Sequence, residues 1–403
     1  MKLFNDKEVV TLKIAFRASI VGSLLWTLAA ASSFAQPAGP LPKEELLVLS
    51  AAYGVLQRSL VVKPDDRALI VAATKGMLRG ADPDSGEYFT ADEFEAYRQP
   101  RRANLESIGA EVKFRDGRYL LAPLEGSPAA QAGIVFPDQL YAIDGVRIKG
   151  LDASLVAEKL AGPPGTTVAL TVFRESTLSV HTFQVERKAF TVRGAQLSRL
   201  AANVVHLRVA HFTASSLQEA ADALKAAWQT EPFQAIVLDL RGCPGGLLDS
   251  SVGFAAMFLP KDAMVVRTEG ASTESNITYL AAPAFYLRKG SPDPLVGLPT
   301  EVHTMPVAVL VDNATSSGAE IVTAALQDHN RAVIIGRPTF GRASIETVQP
   351  LQIGGIKFTS SYYFPPSGRK IQGVGVIPDH IVEDASAPDT MRVALRELKQ
   401  GKE

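Results

Sequence analysis

The chain has one cysteine, Cys243, in 403 residues. A lone cysteine excludes an internal disulfide, and no Cys/His group with metal-ligand spacing occurs along the sequence. An excess of either charge is also missing. Lys and Arg number 41 against 42 Asp and Glu, a formal net charge of -1. That balance gives no electrostatic footprint for nucleic acid or for an anionic membrane surface. No cofactor and no metal are expected. What the chain has in quantity is apolar content, 46% of its residues, enough to fill two or three cores at this length.

The first segment reads as a targeting device. Lys2, Lys7, Lys13 and Arg17 make a basic start, and Ile20 to Ala31 is an apolar run too short to span a bilayer comfortably. Ser33-Phe34-Ala35 fits the small-x-small pattern of signal cleavage, and a Pro-rich stretch follows it. A cleaved signal peptide over 1–35 and a periplasmic or extracellular mature protein are expected, an uncleaved anchor being the alternative. No cysteine follows the cleavage point, which argues against a lipoprotein.

Three blocks follow. From 36 to 104, Leu46, Leu49, Ala52 and Leu56, then Ile70, Ala73 and Met77, recur at helical spacing. Asp82, Asp84 and Gly86 suggest a calcium loop, but the remaining ligand positions do not fit, so a plain turn is expected there. Thr90-Ala91-Asp92-Glu93 opens another short helix. From 105 to 188, short alternating strands surround two short helices. From 189 to 385, strand and helix alternate, and Ala235 to Leu240 is a near-continuous apolar run, as a strand buried on both faces requires. Residues 386–403 close the chain as a helix. The fold class is therefore α/β and multidomain, with at least part of its sheet parallel.

Two turns after buried strands carry the chemistry. Arg241-Gly242-Cys243-Pro244-Gly245-Gly246 opens onto a helix, where backbone N–H groups can face a developing negative charge. No Gly-Lys-Ser/Thr closes it, so it is not a phosphate loop of the Walker kind. The second turn, Thr315-Ser316-Ser317-Gly318-Ala319-Glu320, places a serine at the carboxyl edge of the sheet, where sites of open α/β folds collect. Ser317 and Glu320 also make a good capping box, and on this stretch alone the cap is the stronger reading.

Leu124-Glu125-Gly126-Ser127-Pro128-Ala129, Gln131-Ala132-Gly133-Ile134, Ile143-Asp144-Gly145 and Gly162-Pro163-Pro164-Gly165-Thr166 together resemble a PDZ domain of the permuted bacterial type. Such a domain adds a peptide to a sheet edge and holds its terminal carboxylate on backbone N–H groups. The loop implied here is Ser107, Ile108, Gly109 and Ala110. Leu240-Arg241-Gly242-Cys243-Pro244-Gly245-Gly246, Gly318-Ala319-Glu320-Ile321-Val322, Gly336-Arg337-Pro338-Thr339-Phe340-Gly341 and Tyr363-Phe364-Pro365-Pro366 resemble the carboxyl-terminal processing peptidases. The resemblance implies a ClpP/crotonase-like core, a serine endopeptidase activity and substrates with free carboxyl termini. It implies Ser317 as nucleophile, with oxyanion N–H groups from Gly245, Gly246 and Gly318. An adaptor lipoprotein as partner stays open.

At the base, the chain departs from the family it resembles. Arg342 stands where that family has lysine, 25 positions after Ser317, and Glu346 stands where it has glutamine. Lysine can lose its proton when buried. Arginine, with a reference pKa of about 12.5 to 13.8, cannot. Two readings follow: a peptidase with an altered centre, or a catalytically silent peptide-binding adaptor. Arg342 and Glu346 are expected to join in a charge-assisted bond, provided the segment bends, since four residues of straight strand span roughly 13 Å.

Overall fold

The computed structural model describes residues 42–98, 108–151, 153–188, 194–201, 203–288, 290–382 and 387–400. The expected signal segment, 1–35, and Ser107 lie outside them. Contacts divide the chain into two units, 1–72 and 73–403. In the first, helix α1 (Lys43–Ser59) leads to the start of α2 (Asp66–Ala81), and Tyr53 donates to Asp66 at 2.6 Å. The expected helical spacing is thus realised. Neither helix has a buried residue, so the Leu and Val positions that gave the pattern stay exposed.

The second unit begins within α2, at Ala73. The Asp82 carboxylate accepts N–H groups from Ser85 at 3.2 Å and Thr359 at 2.6 Å, which pins the turn to the strand that carries Thr359. Strand β1 (Glu87–Phe89) and helix α3 (Ala91–Arg98) follow. Thr90 caps α3, its N–H bonding Glu93 at 2.7 Å.

The next elements form a separate sheet with its own core. Strands β2 (Ala110–Arg115), β3 (Arg118–Pro123), β4 (Asp138–Ile143), β5 (Val146–Arg147), β6 (Thr167–Arg174) and β7 (Ser179–Glu186) pair antiparallel in the order β2-β3-β4-β6-β7, with β5 on β4. Helices α4 (Pro128–Gln131) and α5 (Ala153–Leu160) close it, Ser127 capping α4. Ile108, Leu121, Ile134, Val156, Val168 and Leu170 fill its interior. Strand β2 is an edge of this sheet.

The third region is built on a six-stranded sheet. It comprises β8 (Ala195–Ala201), β9 (Val204–Val209), β10 (Ala235–Asp239), β13 (Val307–Val311), β14 (Val333–Gly336) and β17 (His380–Ile381), in the order β17-β14-β13-β10-β9-β8. All neighbours are parallel except β8. Strands β10 and β13 are buried throughout, because helices cover both faces. Helices α6 (Ser216–Thr230), α7 (Leu248–Ala256) and α9 (Gly318–Asp328) pack on one side, and α10 (Ala387–Gln400) packs on the other through Ala394 and Leu398. A short helix, α8 (Pro283–Tyr286), joins the first group.

A further antiparallel sheet has the order β1-β16-β11-β12, from β11 (Met264–Gly270), β12 (Thr278–Leu280) and β16 (Gly355–Phe364), with β15 (Ser344–Pro350) on β16. The register of β15 on β16 shifts between Ile345 and Glu346. This bulge supplies the bend that the 342–346 segment needs.

Candidate active site

Both chemistry-bearing turns leave the carboxyl ends of adjacent buried strands, β10 and β13. Parallel pairing of Ile236–Asp239 with Val307–Leu310 therefore delivers them side by side. Ser316 N–H bonds Cys243 O at 3.0 Å, stitching one turn to the other. Asp312 receives the N–H groups of Gly242 at 2.9 Å, Ala314 at 3.0 Å and Thr315 at 2.9 Å, so one carboxylate shapes both.

Ser317 has φ 54° and ψ -121°. A serine that only caps a helix takes an extended backbone. A non-glycine residue at positive φ is strained and is kept where its surroundings over-determine it, which is common at reacting centres. Glu320 still accepts the Ser317 N–H, so the strained backbone is an addition to the cap that the sequence suggests. A sharp turn from strand to helix with a serine at its apex presents the hydroxyl outward.

The groups holding this conformation are visible. Glu320, fully buried, accepts the N–H groups of Ser317 at 2.8 Å, Gly341 at 2.6 Å and Arg342 at 2.9 Å, and the Thr339 hydroxyl. Burial pushes its carboxyl up, against four donors that pull it down. Tyr363 donates to Ser317 O at 3.0 Å and Arg342 O at 2.6 Å. Burial raises the Tyr363 phenol well above its ordinary value, so it stays a donor. Ser317 and Arg342, 25 positions apart, are therefore held by the same carboxylate and the same phenol.

Gly245 and Gly246 have φ 101° and 141°. A Cβ on Gly245 would meet Gly318 N at 2.7 Å and Ser317 Cβ at 2.9 Å, so only glycine lets this loop touch the serine turn. Gly246 bridges Phe212, with the two bonds made by Gly245 O and Leu247 N. Its own N–H is not used in that bridge, and its nitrogen would lie 3.5 Å from a Cβ placed on Gly318. Gly245, Gly246 and Gly318 thus gather around Ser317. Cys243, fully buried, has its thiol pushed up to about 12 by burial and is no thiolate at neutral pH.

The expected pair is present. Arg342 donates to Glu346 Oε1 at 2.7 Å, and Ser344 and Ser85 reach the same oxygen at 3.1 and 3.2 Å. The Arg342 side chain is 38% exposed, so the pair borders solvent. Burial works to raise the Glu346 carboxyl, but Arg342 and the two hydroxyls outweigh it and hold it below the usual value. Burial works against the Arg342 charge too, and Glu346 outweighs it, raising Arg342 further. Lys357 is occupied by Glu87 at 2.5 Å, and Lys370 is exposed.

Two participants were not anticipated. Ser85, from the turn before β1, is one. The other is Lys113 on β2, whose Nζ donates to Ser316 Oγ at 2.5 Å and Ala314 O at 3.2 Å. The alternation of Glu111, Lys113 and Arg115 with Val112 and Phe114 was the available signal, since it marks a polar face. Glu111 faces His211 at 3.6 Å and Arg115 donates to Phe340 O, so with Lys113 on Ala314 and Ser316 this face lies against the serine turn and the loops beside it. In the expected carboxylate loop, Ile108 is fully buried, its carbonyl accepting from Ala129 at 2.8 Å, and Gly109 has φ 68°.

The comparisons with known proteins agree with this geometry. The profile of peptidase family S41 matches residues 203–382, and that of a PDZ domain matches 120–174. A carboxy-terminal-processing protease of Bartonella bacilliformis is 33% identical over 80% of this chain and 71% of its own length. This chain belongs to peptidase family S41. The carboxy-terminal processing protease CtpA of Bacillus subtilis is 26% identical, over 82% of this chain and 67% of its own. Among solved structures, the photosystem II D1 C-terminal processing protease aligns with a TM-score of 0.68 at 23% identity, over 88% of this chain and 97% of that one. That likeness supports the S41 fold, with its α/β core and PDZ domain.

Proposed function

We propose that this S41 protein is exported, binds free carboxyl termini of peptides through its PDZ domain, and does not hydrolyse them by serine–lysine chemistry. One observation carries the last part: the guanidinium in the base position is bonded to Glu346 at 2.7 Å, leaving no neutral amine at that place. Neither partner suits proton abstraction, since arginine keeps its proton and the Glu346 carboxylate is held ionised and occupied. Export rests on the basic start, apolar run and cleavage signature of residues 1–35. Carboxyl-terminus binding rests on the PDZ match and on β2 being a sheet edge.

A second reading, a peptidase using another base, is favoured by the retained strain at Ser317 and the retained glycine cradle. One experiment separates the two. Purified protein is mixed with an unstructured polypeptide ending in an apolar residue, and both binding and cleavage are followed. Binding without cleavage, weakened by amidating the terminus, is expected. Cleavage lost in Ser317→Ala would establish the second reading, and equal affinity for acid and amide would refute carboxylate recognition.

A further inference from the structure

Lys113 is 2% exposed, and among the described residues it forms no ion pair. Its ammonium meets a carbonyl, a hydroxyl, and the rings of Phe340 and Phe136 at 4.6 and 5.7 Å. The titratable and charged groups around it are Glu111 on its own strand, Glu320 on α9, Arg342 and the uncharged Cys243 thiol. Burying a cation without a carboxylate partner is costly, and an apolar residue of the same shape would usually suit the fold better. Such a group points to a use.

Its bonding shows what that use is. Lys113 holds Ala314 O and Ser316 Oγ, and Ser316 Oγ in turn donates to Pro244 O at 3.0 Å. Pro244 directly precedes Gly245 and Gly246, and Ser316 directly precedes Ser317. We propose that Lys113, supplied by the PDZ edge strand β2, is a positioning residue for the Ser317 centre, fastening the serine turn to the glycine turn. Its hydrogen bonds go to Ser316 Oγ and Ala314 O rather than to Ser317 Oγ, so it acts through Ser316. Strain such as φ 54° at Ser317 survives only while neighbouring bonds over-determine it. Glu320 and Tyr363 hold Ser317 from the far side, and Lys113 completes the set. The inference rests on Ser317 as the nucleophile position and not on turnover.

The test uses the full chain with Lys113→Met and Lys113→Arg, read by thermal unfolding and by hydrogen exchange of segments 243–247 and 312–320. Lys113→Met removes the charge at nearly constant shape. Its melting temperature is expected to hold or rise, while exchange in the two turns quickens at least tenfold and stays unchanged in β13 and the PDZ core. Lys113→Arg is expected to restore slow exchange. Unchanged exchange in both turns with Lys113→Met would overturn the proposal. So would a lower melting temperature with faster exchange everywhere, the signature of a merely structural residue. Acid-versus-amide peptide binding by the parent is measured alongside. Its failure would refute the proposed function while leaving the result for Lys113 standing.

Discussion

Replacing Arg342 by lysine introduces the residue type that the sequence resemblance implies at this position, yet little gain of activity is expected from that change alone. The new ammonium would face Glu346, whose oxygen lies 2.7 Å from the present guanidinium. A carboxylate within about 4–6 Å raises a lysine by about 1–3 pKa units. Starting from an ordinary value near 10.4, the amine would then be almost wholly protonated at neutral pH. Each unit is a factor of ten in the neutral fraction, so removing the charge with Glu346→Gln should raise that fraction about 10- to 1000-fold. Burial would pull the lysine further down once no carboxylate opposes it. The Ser85 and Ser344 hydroxyls can still serve a glutamine oxygen. Arg342→Lys with Glu346→Gln is therefore expected to cleave an unstructured peptide, and label with a fluorophosphonate, about 10- to 1000-fold faster than Arg342→Lys. A single variant equal to or faster than the double one would refute this account of the pair.

Further outcomes follow from the same geometry. In the parent, Ser317 should label with a fluorophosphonate about 100- to 10,000-fold more slowly than a serine with a working base, the usual contribution of proton transfer. Fast stoichiometric labelling that vanishes in Ser317→Ala would contradict this. Asp239, nearly fully buried, receives Arg241 at 2.6 Å and His206 at 3.0 Å. Burial alone would raise it, but these partners and Arg208 hold it far below the usual carboxylate range. Its contribution to stability is thus present above the ordinary carboxylate pKa and lost as pH falls towards the depressed one. Asp239→Asn should cost about 3–5 kcal/mol at neutral pH by urea unfolding, with a flatter loss in acid, and a cost below about 1 kcal/mol would count against it.

What could be read from sequence tracks what is local. The run Ala235 to Leu240 is apolar on both faces because β10 lies between parallel neighbours under helices, and burial writes that pattern directly. The glycine turn was legible from its own residues, and the 342–346 pair from the resemblance, since four residues of straight strand span roughly 13 Å. The sheet joining β1 to β16 was not. Three residues, Glu87–Phe89, pair with a strand some 270 positions away, and nothing near them signals it. Ser317-x-x-Glu320 was ambiguous for a different reason. The same four residues make a helix start and a strained serine apex, and the φ of 54° at Ser317 is not written in the residue pattern.

Lys113 shows a third limit. Polar alternation in a strand says that one face is not in that domain's core, but it does not say whether water or another domain covers it. Here it is the catalytic turns, and the consequence is electrostatic. Burial pulls Lys113 from 10.5 to about 8, against the opposing pull of Glu111 and Glu320. A shift of that size amounts to about 3 kcal/mol against the charged form. With a depressed lysine the unfolded chain binds more protons between those two values, so stability is expected to rise as pH climbs from about 8 to 10.5. Arg342 and Glu346, by contrast, are each driven further from titration by the other. The centre thus holds at 342 and 346 a neutral pair that keeps its charges. Its titratable amine stands one residue from the nucleophile position, bonded to Ser316 rather than Ser317. A lysine there can order the serine turn without taking the proton from Ser317. A strained serine and a glycine cradle thus stand beside an arginine–carboxylate pair that keeps its charges.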